Sequence, residues 1–134
     1  IRVTSDRHVR RDGMLYALSK MVTAARAYNI SVLDGVFNDI ADLDGLGREC
    51  VHGTALGFDG KTLIHPNQIE TANTLFAPTS EEISEAEHII NAFENPENAG
   101  KGVIQVNGKM TELLHLEQAK RIVAIVAAIK LMET

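Results

Sequence analysis

Two short apolar runs, each following a helix-like segment and each ending in a polar turn, restrict what this chain can fold into more than any other feature. Leu56-Gly-Phe-Asp-Gly-Lys-Thr-Leu-Ile-His-Pro-Asn-Gln68 holds an apolar segment that stops abruptly at a proline-stiffened turn. Its shorter companion, Ser31-Val-Leu-Asp-Gly-Val-Phe-Asn-Asp39, carries a carboxylate into what should be a dry sheet. Strand ends of this kind deliver side chains to a composite pocket.

The flanking segments supply the helices. From Gly13 to Asn29, Met14, Leu18, Met21, Val22 and Ala25 recur at helical spacing and Asn29 is a stop. Ser31 to Phe37 reads as a strand whose nearly continuous apolar character predicts burial on both faces. Asp42 caps a helix running to about Leu56, with Leu43, Leu46, Cys50 and Leu56 inward despite Gly45, Gly47 and Gly53. Gly57 ends it, and Lys61 to Ile64 forms the next strand. Helix, strand, helix, strand with these connection lengths is an α/β pattern of right-handed parallel units.

Downstream the pattern changes. A short helix spans Gln68 to Phe76, Pro78 breaks it, and Ser80 starts a second helix with Glu81 and Glu82 in its first turn and Ile83, Ala86, Ile90 and Phe93 on one face. Asn95 to Lys101 is turn-rich, and Gly102 to Met110 reads as a hairpin around Asn107-Gly108. The last helix, Leu113 to Met132, places Leu116, Ala119, Val123 and Val126 on one face and Ile122, Ile125, Ile129 and Met132 on another. Two apolar faces predict two covering surfaces, one of them another subunit. The expected division is residues 1–76, sheet units, and 77–134, an appended helix-and-hairpin subdomain with an oligomerisation face.

Composition excludes several classes. The net charge of -5 gives no attraction for nucleic acid or anionic membrane, and Lys and Arg are scattered apart from Arg7, Arg10 and Arg11. No apolar run approaches the roughly 20 residues needed to cross a bilayer. A single cysteine, Cys50, and no basic-then-apolar leader point to the cytoplasm. Ile1 in place of Met, followed by a polar stretch to Asp12 with no core-building pattern, predicts a start inside a longer polypeptide.

Among candidate motifs, Gly60-Lys61-Thr62 fails as a phosphate loop: Ala55 stands where glycine is required, and a strand follows where a helix should. Asp39, Asp42, Asp44 and Gly45 fail as a calcium loop, because aligning Gly45 puts Ile40 and Val51 at carboxylate positions. His8, His52, His65, His88 and His115 are spread out, and Cys50 with His52 lacks a second ligand pair for zinc. His65 is different, since it ends a strand immediately before Pro66; it either shapes the turn or touches a ligand. Asp34 must have a partner, either Lys61 on the neighbouring strand or a ligand or metal site, because burying its charge alone costs several kcal/mol, on the order expected for isolated ions. Glu112 precedes the last helix, where a carboxylate complements the helix dipole.

Taken in order, Gly13-Met-Leu-Tyr-Ala with Ala24-Ala25-Arg26-Ala27, Leu33-Asp34-Gly35-Val36-Phe37-Asn38-Asp39, Ala55-Leu-Gly-Phe-Asp-Gly-Lys61, Ile64-His-Pro-Asn-Gln68, Phe76-Ala-Pro78 and Gly100-Lys-Gly-Val103 through Asn107-Gly-Lys-Met110 resemble the citrate lyase beta subunit / malyl-CoA lyase (HpcH/HpaI aldolase) family. Ile64-His65-Pro66 resembles the malyl-CoA lyase and citrate-lyase-like branches more than the citrate lyase subunit proper.

The resemblance implies the C-terminal part of a (β/α)8 TIM barrel followed by a small helical and β-hairpin lid. It implies a Mg2+-dependent carbon–carbon lyase acting on a CoA thioester such as malyl-CoA or citryl-CoA, with a carbonyl acid as co-product and a homotrimeric or hexameric assembly. The family's Mg2+ ligands and substrate-binding Arg fall upstream of Ile1, so the missing N-terminal half of the barrel is an expected partner. The lid pattern Gly-x-Met-x-Asp maps to Gly108-Lys-Met-Thr-Glu112, with Glu in place of Asp, which makes Glu112 the implied proton donor in a neighbouring subunit's site. Asp34, Asp39, His65 and Gln68 are then expected to shape the substrate pocket. Cleaving a 3-hydroxyacyl-CoA leaves a thioester enolate that a divalent cation stabilises and a carboxylic acid protonates. A malyl-CoA thioesterase of the same family and a non-catalytic oligomerisation module are the alternatives.

Overall fold

The computed structural model describes residues 11–132; Arg7 and Arg10 of the basic group lie outside them. The chain divides into two compact units, Ile1–Phe76 and Ala77–Thr134.

In the first unit a 3-10 turn, Arg11–Met14, leads into helix α1, Leu15–Ala27. Leu18, Val22 and Ala25 are its buried stripe, whereas Met14 and Met21, expected inward, are exposed. The helix stops where Asn29 adopts a left-handed φ of 52°, a conformation asparagine tolerates better than most residues. Strand β1, Leu33–Asp34, follows, then helix α2, Leu43–Leu56, and strand β2, Gly60–Lys61. Asp42 caps α2 by accepting the Gly45 N–H, and Gly57 closes it at φ 94°, a geometry that penalises any Cβ. A 3-10 turn, Pro66–Gln68, runs into helix α3, Ile69–Phe76.

The strands pair in parallel, Leu33 opposite Gly60 and Asp34 opposite Lys61. Backbone bonds extend the ladder slightly, from Asp59 N–H to Val32 O and from Thr62 N–H to Asp34 O. Both strands are far shorter than the Ser31–Phe37 and Lys61–Ile64 runs expected. The reason is a side chain. In a continued ladder Ile64 N–H would reach the backbone of β1, but it donates instead to Gln68 Oε1, while Gln68 Nε2 donates to Phe37 O. The expectation that β1 is buried on both faces also fails, since Leu33 is 57% exposed. Among the described residues β1 has only β2 beside it.

Two apolar clusters hold this unit. Leu18, Val22 and Phe58 pack with Val32, Leu56 and Phe76. Leu46, Cys50 and Ala72 pack with Phe37, Leu63, Leu75 and Phe76. Phe76 joins both, and each large apolar side chain removed from water contributes about 1.5–3 kcal/mol. Leu43, expected inward on α2, is exposed. Arg26 forks onto Asp59 with both contacts at 2.9 Å, tying the end of α1 to the entry of β2.

The second unit contains helix α4, Ser80–Glu94, a 3-10 turn at Pro96–Asn98, the hairpin strands β3, Val103–Val106, and β4, Lys109–Glu112, and helix α5, Leu113–Met132. Thr79 and Glu82 form a reciprocal capping box at the start of α4. Asn107 and Gly108 take φ values of 51° and 77°, the two left-handed positions of a tight hairpin turn. Ile104 faces Thr111 across the hairpin and both are buried. Ala86 of α4 and Ala119 of α5 are each 2% exposed, small residues that let the helices approach.

The faces of α5 divide differently from expectation. Ile122 and Ile129 are half-buried like Leu116, Val123 and Val126, because positions 119, 122, 126 and 129 follow one helical stripe. Ile125 and Met132 are exposed, along with Leu113, Leu114 and Leu131. No described helix is long and apolar enough to cross a membrane.

Candidate functional site

The tips of β1 and β2 rest on a cluster of four charged groups. Asp34, 1% exposed, receives Arg11 Nη1 at 2.6 and 2.8 Å on its two oxygens, the Gly35 N–H at 2.8 Å and Lys61 Nζ at 3.3 Å. Lys61 Nζ also donates to Gly35 O at 2.7 Å and to the Glu49 carboxylate. Arg11 Nη2 reaches Glu49 O at 3.4 Å and lies 3.2 Å from His52 Nδ1, while its buried Nε has no hydrogen-bond partner. Two cations face two carboxylates, so the cluster is neutral.

The local sequence explains the assembly. Parallel register puts Asp34 and Lys61 on one face of the sheet. Helix α2 passes over that face at Gly53, where an added Cβ would meet Asp34 Oδ2 at 3.0 Å and the Phe76 ring at 3.3 Å. A glycine that weakens the helix is therefore the residue that lets it seat. Burial would raise the Asp34 carboxyl, but the Arg11 hydrogen bonds, the Lys61 and Arg11 charges and the Gly35 N–H outweigh it and hold the group below its ordinary value. Burial pushes the adjacent Cys50 thiol up.

Gln68 is fully buried, with its amide engaged at both ends by the backbone of the two strand exits, and so acts as a surrogate rung. His65 is exposed and caps the Pro66–Gln68 turn, accepting the Asn67 N–H at 3.2 Å. Asn67 Nδ2 donates to Ile40 O, which fastens the His65 turn to the loop beyond β1. Asp39, also exposed, accepts the Ala41 N–H and turns that loop. Asp34, Asp39, His65 and Gln68 thus all belong to the first unit around two strand exits. Glu112 belongs to the second, at the end of β4, exposed, with its backbone N–H given to His115 Nδ1 at 2.9 Å.

Sequence reasoning missed Arg11, Glu49 and His52. Arg11 stood in a stretch without core-building pattern, yet its guanidinium reaches Asp34. Glu49 carried a weak signal, being three residues past Leu46 and one before Cys50 on the inward side of α2. Among the described residues no group of three or more His, Cys, Asp and Glu is placed to hold a metal ion. The buried Asp34 carboxylate and the half-buried Glu49 carboxylate are neutralised by Arg11 and Lys61, so they do not fit a divalent cation.

Residues 6–128 match the family described as C-C_Bond_Lyase of the TIM-Barrel fold. The chain belongs to this lyase family. Among its relatives, a (3S)-malyl-CoA thioesterase of Cereibacter sphaeroides (strain ATCC 17025 / ATH 2.4.3) is 49% identical over 112 residues, covering 84% of this chain and 39% of that protein. A citrate lyase subunit beta of Leuconostoc mesenteroides subsp. cremoris is 40% identical over 121 residues, covering 90% and 40%. The crystal structure of the protein CitE from Mycobacterium tuberculosis, in complex with magnesium, acetoacetate and coenzyme A, superposes with a TM-score of 0.74 at 28% identity, covering 93% of this chain and 46% of that one. The chain spans less than half the length of each of these family members. The expected α/β fold, part of a TIM barrel, is thereby established for this lyase-family chain.

Proposed function

We propose that this chain is the C-terminal portion of a CoA-thioester carbon–carbon lyase, acting on a 3-hydroxyacyl-CoA of the malyl- or citryl-CoA type and releasing a carbonyl acid. The observation that carries the reading is family membership over residues 6–128 together with the likeness to a CitE structure holding magnesium and coenzyme A. In this reading Mg2+ is held by residues from outside this chain, because the described carboxylates do not fit it.

The chain's own residues divide the work. Asp34 and Gln68 shape the pocket by fixing the two strand exits. Asp39 and His65 line its mouth from the turns that follow. Glu112 donates a proton to the α-carbon of the thioester enolate left by bond cleavage, in the site of an adjacent copy within a homotrimer or hexamer. Nothing in the charge balance favours nucleic acid, and the cytoplasm is the proposed compartment.

A malyl-CoA thioesterase is the second reading, supported by the 49% identity to an enzyme of that name. Incubating the complete enzyme with malyl-CoA and Mg2+ separates the two: acetyl-CoA with glyoxylate marks the lyase, free CoA with malate the thioesterase. The 134-residue chain alone is expected to be inactive in both assays, and metal-dependent turnover by it would refute the proposed division of the site. In the complete enzyme Glu112→Gln should lower turnover by about 100-fold or more while leaving substrate binding nearly intact. Unchanged turnover would return Glu112 to a structural role at the start of α5.

A further inference from the structure

The junction between the hairpin and the last helix is built around one imidazole. Glu112 ends β4 and Leu113 begins α5, so His115 stands at the third helical position. That is where a capping box places the Glu or Gln that reaches back to the residue before the helix. His115 Nδ1 takes this role, accepting the Glu112 backbone N–H at 2.9 Å, while the Leu113 N–H donates to Gly102 O at 3.2 Å. The residue carrying the proposed acid is therefore gripped from the helix side by His115, and its successor from the hairpin side by Gly102. Glu112 itself is exposed, as are Met110, Leu113 and Leu114, so no packing around the side chain does this job.

We propose that His115 is a positioning residue for Glu112: the neutral imidazole, with its proton on Nε2, fixes the backbone from which the Glu112 carboxylate projects. This rests on the reading of Glu112 as the proton donor. An Nδ1 that accepts must be unprotonated, so the tautomer is determined by the bond. His115 also lines the groove between α4 and α5 with Glu82, Glu85 and Gln118, the charged and polar groups that surround it there. None of these supplies the Glu112 N–H with an alternative acceptor among the hydrogen bonds of the described residues.

Two measurements test the inference. Long-range proton–nitrogen NMR spectra of the wild-type chain should show His115 neutral with Nδ1 unprotonated, and the Glu112 amide protected from exchange. A proton on Nδ1, or an unprotected Glu112 amide, overturns the proposal without any variant. In the complete enzyme His115→Ala should lower kcat by roughly 10-fold with KM within about twofold, the pattern of a misplaced catalytic group. His115→Gln, whose Oε1 can accept the same N–H, should restore most of that loss. Placed in a Glu112→Gln background, His115→Ala should change kcat no further. If Glu112→Gln cuts turnover and His115→Ala does not, the positioning role fails while Glu112 remains the acid. If Glu112→Gln itself leaves turnover unchanged, both fall together. Should His115→Ala not fold, the NMR result and the kinetics of His115→Gln decide the matter, with loss in the Gln variant counting against the proposal.

Discussion

Asp34 and Lys61 occupy the same rung of the parallel strand pair, with Lys61 Nζ 3.3 Å from Asp34 Oδ2 and both side chains almost wholly removed from solvent. Lys61 is held from a second direction by Glu49, and Asp34 by Arg11, so each buried charge has two partners.

Breaking one charge out of this set should be costly. Lys61→Met leaves Asp34 and Glu49 to share Arg11, and should destabilise the chain by about 3–5 kcal/mol, the range for a buried pair that loses one member. Urea denaturation followed by circular dichroism measures this. Asp34→Asn combined with Lys61→Met should recover part of the loss, whereas a wild-type midpoint in Lys61→Met alone would show that the cluster contributes nothing.

The cluster also sets a pH dependence. The folded-state Asp34 carboxyl titrates below its ordinary value of 3.8, so the unfolded chain binds the proton first as pH falls. Its contribution to stability is complete above pH 3.8 and disappears as pH drops through the lower folded-state value. Below that point wild type and Asp34→Asn should lose stability in parallel. Between the two values wild type should fall more steeply, and equal slopes across the whole acid range would contradict the pairing.

Gln68 offers a sharper separation of roles. Gln68→Leu fills the space but leaves Ile64 N–H and Phe37 O without partners, which should cost about 2–4 kcal/mol for two orphaned backbone groups. The loss should appear in thermal unfolding with no ligand present. A variant as stable as wild type, but impaired in binding a CoA thioester, would instead make Gln68 a direct contact.

Cys50 reports on the same region. It is fully buried and its thiol is shifted upward by burial, with Lys61 opposing and Glu49 and Asp34 adding to the shift. Alkylation by iodoacetamide at pH 8 should therefore be slow in the native chain and accelerate by about 100-fold or more in denaturing urea. Rapid native labelling would mean that α2 does not stay seated.

What was legible in the sequence follows from the range of the interactions involved. α1, α2, α4 and α5 were readable because periodicity and caps are local: Asp42 and Gly57 bound α2, and Asn107-Gly108 specifies its turn unaided. The strand lengths were not readable, because they are set by Gln68, whose amide enters between the strands from a later turn. Of the charge cluster, Asp34 announced its need for a partner and Lys61 was nameable from pairing. Arg11 was invisible, since nothing in a polar 3-10 turn signals that it reaches a strand 23 residues away. On α5 the apolar positions were readable, but Ile122 and Ile129 were assigned to the wrong side, because spacing alone does not say which apolar positions a neighbouring helix covers.

A single carboxamide bridging Phe37 and Ile64 has a mechanical consequence. The loops leaving the two strands belong to separate crossovers and, without this bridge, would be joined only by the short ladder behind them and the Asn67–Ile40 bond. With the bridge in place they form one stiff lip: a push on the Asp39 loop is transmitted to the His65 turn without deforming the sheet, and the two rims open or close in concert.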